Sequence, residues 1–370
     1  MKAKKKLPLF DKLVLWFNCG IAIALLTSYL APITDPRKYW VIAFFGLAYP
    51  PVLLFNILLI VYWTFRKSWY ALVSVFCVLI GINTLKNNIG FNWGHKDLVK
   101  STDANAVRLM TYNVHNFKKL SGGRDTSTKT EILALIKDQS PDIIGIQEFF
   151  TRKRGKFAMA DSIKKALGYR HYYFENIIGN TDETIGMAVF SKFPIINTGF
   201  IPLSEASSEN QCIYADIKKA KRIFRVYSVH LQSIKFKSED YRYLDTVTQS
   251  GRTDITSTRR LGGKLKRAFI RRDEQVFTIK EHTKTCPYPY IIAGDFNDTP
   301  TSFAVNQMAK GLKNAFREKG VGLGRTYNGD FPNYQIDYVL ASNQFDVRSY
   351  RIIEKKLSDH YPIVSDLVLK

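Results

Sequence analysis

Within its first 85 residues the chain holds three long runs without a single Asp, Glu, Lys or Arg: Leu13–Leu30, Trp40–Trp63 and Trp69–Leu85. Wound as helices, apolar runs of about 17–25 residues match the hydrocarbon thickness of a bilayer. A buried soluble bundle is the competing reading, but runs of this length favour the membrane. Trp16, Trp40, Trp63 and Trp69 stand near the run ends, where interfacial aromatics sit. Pro50-Pro51 in the second run is tolerable there as a kink. The expectation is a membrane anchor over residues 1–99 with about three transmembrane helices, then a second unit over residues 100–370. The first run also reads as a signal peptide, since Lys2, Lys4, Lys5 and Lys6 precede it, although it exceeds the usual ~7–15 apolar residues.

Basic residues near the runs set the expected orientation. With the N-terminus inside, Lys2, Lys4, Lys5, Lys6, Lys12, Arg66 and Lys67 fall on the inner side. Arg37, Lys38, Lys86, Lys96 and Lys100 fall on the outer side. The excess inside, with an odd number of crossings, predicts an integral membrane protein whose C-terminal unit is non-cytoplasmic. The expected location is the bacterial inner membrane.

The formal net charge is +22, and the C-terminal unit is basic in its own right. That favours polyanionic partners: nucleic acid, anionic lipid or phosphorylated headgroups. The densest stretch, residues 252–272, contains Arg252, Arg259, Arg260, Lys264, Lys266, Arg267, Arg271 and Arg272. Its first half is rich in Gly, Ser and Thr and predicts a loop leading into a helix over Lys264–Lys284. The stretch reads either as a solvated face or as a dock for polyanions. Cys19, Cys77, Cys212 and Cys286 show no zinc or disulfide spacing.

From about Ala106 short apolar runs alternate with polar helical patterns. Val107–Tyr112, Asp142–Gln147, Met187–Ser191, Cys212–Lys218, Ile223–His230, Tyr290–Gly294, Ile336–Ala341 and Pro362–Val368 read as strands, and Lys129–Asp138 as a helix. Several connections are too short for helical crossovers. The pattern predicts an α/β fold, a mixed sandwich rather than a doubly wound sheet or an α/β barrel.

Chemistry-bearing residues gather at the ends of these strands. Asn113 follows the first, Gln147-Glu148 the second, His230 ends the Ile223 strand, and Asp295 with Asn297 follows Tyr290–Gly294. Asp337 lies in the Ile336 strand, and Asp359-His360 precedes the last. Taken singly, each is ambiguous; Asn and Asp at strand ends are common turn formers. Together they supply what metal-assisted phosphoester hydrolysis needs: carboxylates for a hard cation, amides and histidines for the phosphate, and a carboxylate to activate water.

Their order is the specific signal. T-Y-N-V-H-N-F, G-I-Q-E, G-M-A-V-F-S-K-F-P-I, V-H-L-Q-S, G-D-F-N-D, I-D-Y-V-L and S-D-H-Y-P-I follow one another from Thr111 to Ile363. This series resembles the endonuclease/exonuclease/phosphatase (DNase I-like) family. The resemblance implies a DNase I-like sandwich and metal-dependent phosphoester cleavage, with Mg²⁺ or Mn²⁺ as cofactor. It implies Glu148 as the main metal ligand, with Asn113 beside it holding metal or phosphate and Asp359 supporting the site. Asp295 would orient or deprotonate water, and Asn297 would grip a non-bridging oxygen. His230 and His360 would donate to the phosphorus centre, with Asp337 orienting His360. His115 stands where some nuclease members carry a second carboxylate, which leaves one metal or two open. Nucleic acid, phospholipid and inositol headgroups remain open as substrates. A catalytically silent, membrane-anchored polyanion-binding module is the alternative, and the intact set Glu148, His230, Asp295, Asn297 and His360 argues against it.

Overall fold

The computed structural model describes residues 7–93, 103–119, 122–204, 208–329 and 333–370. The expected boundary at residues 99–100, the four N-terminal lysines, Lys96 and Lys100 lie outside these residues. The first ninety residues form helices α1 (Leu9–Ser28), α2 (Pro36–Leu47), α3 (Tyr49–Phe65), α4 (Ala71–Ile80) and α5 (Ile82–Asn88), then a short strand β1 (Gly90–Phe91).

Among the described residues only α1 is, unbroken, long and apolar enough to cross a membrane; there are up to three spans if each bent pair counts as one. The expectation of about three simple spans is corrected accordingly. The second apolar run bends by 48° between α2 and α3, and the third by 71° between α4 and α5. The first bend precedes Pro50-Pro51, whose missing amides suit only a helix's opening turn. The second sits at Gly81, where a Cβ would lie 2.0 Å from Cζ of Tyr29. Only glycine lets that ring pack against the turn. With ten residues α4 rises ~15 Å, about half the hydrocarbon thickness.

Buried polar contacts lock α1, α3 and α4 together. Asn18 donates to Ser74 Oγ at 2.7 Å and accepts from Trp63 Nε1 at 2.9 Å. Asp11, at the start of α1, binds Arg66, just past the end of α3, at 2.5 Å. The two helices are therefore antiparallel.

The remaining chain builds two six-stranded sheets. One runs β10 (Lys313–Asn314), β12 (Asp337–Ala341), β9 (Tyr290–Asp295), β8 (Arg222–His230), β7 (Cys212–Lys219), β6 (Ile195–Ile201). The other runs β13 (Phe345–Ile352), β14 (Ile363–Leu369), β2 (Ala106–Asn113), β3 (Ile143–Arg152), β5 (Glu183–Ser191), β4 (His171–Gly179). The central pairs β2–β3 and β8–β9 are parallel and the others antiparallel. A further strand, β11 (Val321–Gly322), pairs with β1. Val107, Leu109 and Ile143 of one sheet meet Ile213, Val226, Ile291 and Val339 of the other in a shared core. This face-to-face packing explains why β2 is buried along its whole length.

Helices cover both outer faces. α6 (Thr126–Gln139) and α7 (Met159–Leu167) bury Ile132, Leu135, Ile136 and Ile163 against Met110, Tyr112 and Ile144. On the opposite face, α9 (Ile255–Lys284) and α10 (Phe303–Ala309) bury Val276, Ile279 and Met308 against Tyr227, Val229 and Ile292. Helix α8 (Ser238–Ser250) precedes α9, and α11 (Ala315–Lys319) lies beside β13. The architecture is a mixed α/β sandwich of two six-stranded sheets, as the sequence predicts.

The expected loop at the start of the basic stretch is instead helix. Asp254 caps α9 by accepting from the backbone N–H groups of Thr256 and Ser257, both at 3.0 Å. Leu261, Ala268 and Phe269 bury one side of the helix, which outweighs the low propensity of Gly262-Gly263. Much of its charge is spent internally. Arg272 is buried and bound to Asp298 at 2.9 Å, while Arg260 and Lys264 both grip Asp240.

The helical unit rests on this helix. Phe44 of α2 stacks edge-on against Phe269 with centroids 5.4 Å apart, Lys266 lies 4.6 Å over Trp40, and Arg37 lies 4.7 Å over Phe277. Asn88 Nδ2 of α5 donates to Thr301 Oγ1 at 3.1 Å.

Asp273, beside this junction, is 1% exposed, and neither carboxylate oxygen has a hydrogen-bond partner. Burial, reinforced by Asp298 and Asp35, pushes its pKa up to about 8. An unfolded aspartate titrates near 3.9. The folded chain therefore keeps a proton that the unfolded chain has released. Stability contributed below about pH 4 is lost as pH rises toward about 8. Asp273→Asn, which mimics the neutral acid, is expected to raise the melting temperature at pH 8.5 and change it little at pH 4.5. Thermal melts of the full-length chain at the two pH values check this, and an equal shift at both would contradict it.

Candidate active site

The site lies where β2, β3, β8 and β9 end on one edge of the sandwich. In the parallel β2–β3 pair Asn113 stands opposite Gln147, and in the parallel β8–β9 pair His230 stands opposite Asp295. Asp337 then faces Asp295 from antiparallel β12. Three strand registers thus carry four site residues to one edge. Gly294 permits the close approach of β8: a Cβ there would lie 2.0 Å from the Val229 carbonyl oxygen.

Glu148 reaches the site through a distortion. Pairing of β3 with β5 slips between Ile146 and Phe149, and Glu148 takes φ +49°. Such a bulge re-aims a side chain that regular alternation would send elsewhere, at some backbone cost. Asn113 Nδ2 donates to Glu148 Oε1 at 3.2 Å and to Asp295 Oδ2 at 3.1 Å, tying the two carboxylates together. Asn116 Nδ2 holds the other Glu148 oxygen at 3.3 Å. Asn116 sits in His115–Phe117, where all three residues have positive φ.

Asp295 is the hub. Its Oδ1 accepts from the backbone N–H of Asn297 at 2.8 Å, and its Oδ2 from Asn297 Nδ2 at 3.1 Å. Nε2 of His230 stands 3.5 Å and Nε2 of His360 3.6 Å from the same Oδ2. The other ring nitrogen of His360 binds Asp337 at 2.9 Å. Asp337 is fixed in turn by its backbone N–H, which donates to Thr326 Oγ1 at 3.0 Å. Burial opposes charge on His360, but Asp337 and Asp295 outweigh it and raise its proton affinity well above that of an ordinary histidine.

Asp359 sits at the rim, accepting from Ser358 Oγ at 3.1 Å and standing 3.8 Å from His115 Nδ1. Burial, and next the charge of Asp359, pushes Glu148 up. Two carboxylates whose charges oppose each other, beside the buried and unpartnered Oδ1 of Asn116, make a hard-oxygen set suited to a divalent cation. A second trio, Asp295, Asp337 and His360, also holds possible ligand atoms within 4.8 Å of one another. There the Asp337–His360 bond already occupies a carboxylate and a ring nitrogen, so the Glu148 set is the better fit to a hard ion.

The structure brings together Asn113, Glu148, His230, Asp295, Asn297, Asp337 and His360, with Asp359 at the edge. Sequence reasoning gave no role to Asn116, Thr326 or Glu209. Asn116 stood within the quoted T-Y-N-V-H-N-F, so its chemistry was visible. Glu209 lies near enough for Glu148, after burial, to raise its pKa, and no strand pattern pointed to it.

The model of the endonuclease/exonuclease/phosphatase family matches residues 110–360, which span every one of these residues. The chain belongs to that family. Its members are metal-dependent hydrolases acting on phosphoester bonds, and this chain is such an enzyme. A model for a domain of unknown function matches residues 11–88. Among curated proteins none matches significantly. Solved structures share the fold. An endonuclease/exonuclease/phosphatase from Beutenbergia cavernae is 20% identical, covers 72% of each chain and gives a TM-score of 0.52. A family member from Bacteroides thetaiotaomicron is 19% identical over 72% of this chain and 98% of its own, with a TM-score of 0.50. The human Nocturnin catalytic domain, solved with a bound sulfate, is 19% identical over 72% of this chain and 95% of its own, also at 0.50.

Proposed function

We propose that this is a membrane-tethered, Mg²⁺-dependent phosphodiesterase whose substrate is presented at the bilayer surface, a phospholipid or its headgroup before a nucleic acid. The carrying observation is where the anchor docks. The segment after Asp295 and Asn297 runs directly to Thr301, which α5 grips through Asn88 and against which Gly46 of α2 packs closely. Five residues separate the hub carboxylate from the anchor contact. In the basic helix, which argued for nucleic acid, Arg260, Lys264 and Arg272 bind Asp240 or Asp298 and Lys266 faces α2, so about half of the stretch's charge is already engaged.

In this reading Glu148, with Asn113 and Asn116 beside it and Asp359 at the rim, would hold the cation. When bound, the ion neutralises charge growing on the phosphoryl oxygens. The chain's own groups do the rest. Asp295 Oδ1 accepts only the Asn297 N–H and keeps a lone pair with which to orient water and take its proton, while Oδ2 is already held by Asn113 and Asn297. Asn297 Nδ2 now donates to Asp295 and to the Leu231 carbonyl, and would exchange one of these bonds to donate to a non-bridging oxygen. His230 and the protonated His360, both aimed at Asp295, stabilise the five-coordinate phosphorus as the ester bond breaks. Asp337 holds His360 in the orientation that presents Nε2.

A silent polyanion-binding module would have no use for this spacing. Screening the full-length protein in liposomes with Mg²⁺ against phospholipids, inositol phosphates, RNA and plasmid DNA tests the reading. Release of headgroup from lipid supports it. Turnover confined to nucleic acid would overturn the substrate class.

The anchor also predicts topology. A reporter fused after Lys370 should be active outside the cytoplasm and silent within it, because the lysine-rich N-terminus is retained inside and the crossings are odd in number. A cytoplasmic signal would reverse the orientation.

A further inference from the structure

A cavity of about 1390 Å³ lies between α3 and the sandwich, and none of the site residues lines it. It exceeds the ~300–1,000 Å³ usual for a small-molecule pocket. Leu53, Leu54 and Ile57 of α3 form one wall, with Leu323 near the mouth. Leu54 and Ile57 are 55% and 43% exposed, so the wall continues onto the outward face of an apolar helix.

The opposite wall is cationic. Lys319, Arg325, Arg348 and Arg351 line it against a single acid, Glu354. Among the described residues none of these four cations forms an ion pair. Arg348 sits where the pairing of β13 with β14 slips between Val347 and Ser349. Buried polar atoms on this wall are left open. Gln335 is 3% exposed and meets only the Tyr350 hydroxyl, with no hydrogen bond of ordinary geometry, and Nε of Arg351 is buried without a partner. Unsatisfied buried donors cost about 1–3 kcal/mol each, so such a wall calls for a ligand rich in acceptors.

We propose that this cavity holds one anionic phospholipid, its phosphate against Arg348, Arg351 and Gln335 and its acyl chain along Leu54 and Ile57. The charge imbalance selects an anion, and continuity with the exposed face of α3 selects a lipid over a soluble phosphate ester. The bound lipid would fasten the sandwich to the bilayer through a surface separate from the active site. Gln335 is two residues from Asp337, and Arg325 is next to Thr326, so the lipid would also brace the segment that fixes Asp337. The proposal rests on the reading of the N-terminal helices as membrane-embedded.

Native mass spectrometry of the full-length chain, released from nanodiscs of mixed phosphatidylglycerol and phosphatidylcholine, tests it. One phosphatidylglycerol should be retained in preference to phosphatidylcholine by roughly tenfold, the scale expected from one or two cations near a phosphate. Arg348→Gln with Arg351→Gln should abolish the preference while a lipid is still retained. Ile57→Trp, which fills the apolar end, should abolish retention. Glycerol 3-phosphate should not displace the lipid. Equal retention of the two lipids by the wild type would overturn the proposal. So would an unchanged preference in the double arginine variant, or displacement by glycerol 3-phosphate. Washing membranes with alkaline carbonate separates the two readings. A chain that stays in the membrane but shows no lipid preference defeats only the cavity, whereas a chain that leaves defeats the anchor as well.

Discussion

Asp295→Asn should lower turnover of bis(p-nitrophenyl) phosphate by about 10²-fold or more, the scale of losing a general base or a stabiliser of developing charge. The substitution is isosteric, so the fold should survive, but the carboxamide cannot take a proton from water. It would also present an N–H₂ group to Asn113, Asn297, His230 or His360, all of which now surround a carboxylate. Asp337→Asn offers an independent check on the same cluster. Asp337 and Asp295 hold the His360 pKa up, so removing one of those charges lets it fall. If protonated His360 is the active form, the alkaline limb of the rate profile must then move to lower pH. Circular dichroism and melting temperature establish that each variant is folded. Near wild-type turnover in a folded Asp295→Asn would end the assignment of Asp295, and an unmoved alkaline limb would end that of His360.

The site was legible in the sequence because its residues stand at strand ends, and strand ends can be read from where apolar runs stop. Asn113, His230 and Asp295 needed only that. What brings them together is parallel pairing of β2 with β3 and of β8 with β9, which no local pattern encodes. Glu148 was visible as a carboxylate after a buried run, but its aim depends on a bulge and a left-handed backbone. The N-terminal helices show the converse. Apolar composition signalled three stretches of about the right length, and it is blind to direction. Pro50-Pro51 marked one bend, whereas Gly81 gains its meaning only from the Tyr29 ring packed against it. The basic helix was misread in its first half because Gly, Ser and Thr outvoted a cap signal already present in Asp254. Composition could not show that Arg272 is buried with Asp298, because that pairing closes over a long stretch of chain.

Activity should vanish on treatment with EDTA and return with Mg²⁺ or Mn²⁺. The groups around Glu148 are carboxylate and amide oxygens, and no thiolate belongs to the set; hard oxygens of this kind favour Mg²⁺ or Mn²⁺ over Zn²⁺. Glu148→Gln discriminates further. It keeps the volume, and the carboxamide can still meet Asn113 through its oxygen, but it removes the one site carboxylate that Asn113 and Asn116 grip from either side. The opposing charge of Asp359, which now pushes Glu148 toward its protonated form, would then have no rival to offset. The half-saturating Mg²⁺ concentration should rise by roughly tenfold or more, as when a metal's immediate surroundings are disturbed. Turnover at saturating Mg²⁺ should recover in part, because Asp295, His230 and His360 remain in place. Isothermal titration of Mg²⁺ into the apo chain reads the same change without any substrate, and so separates a weaker metal site from damaged chemistry. Restoration by Zn²⁺ alone, or a Glu148→Gln enzyme with unchanged Mg²⁺ affinity, would move the metal elsewhere. The trio of Asp295, Asp337 and His360 would then be the next place to look, and Asp337→Asn should in that event weaken Mg²⁺ binding as strongly as Glu148→Gln was expected to.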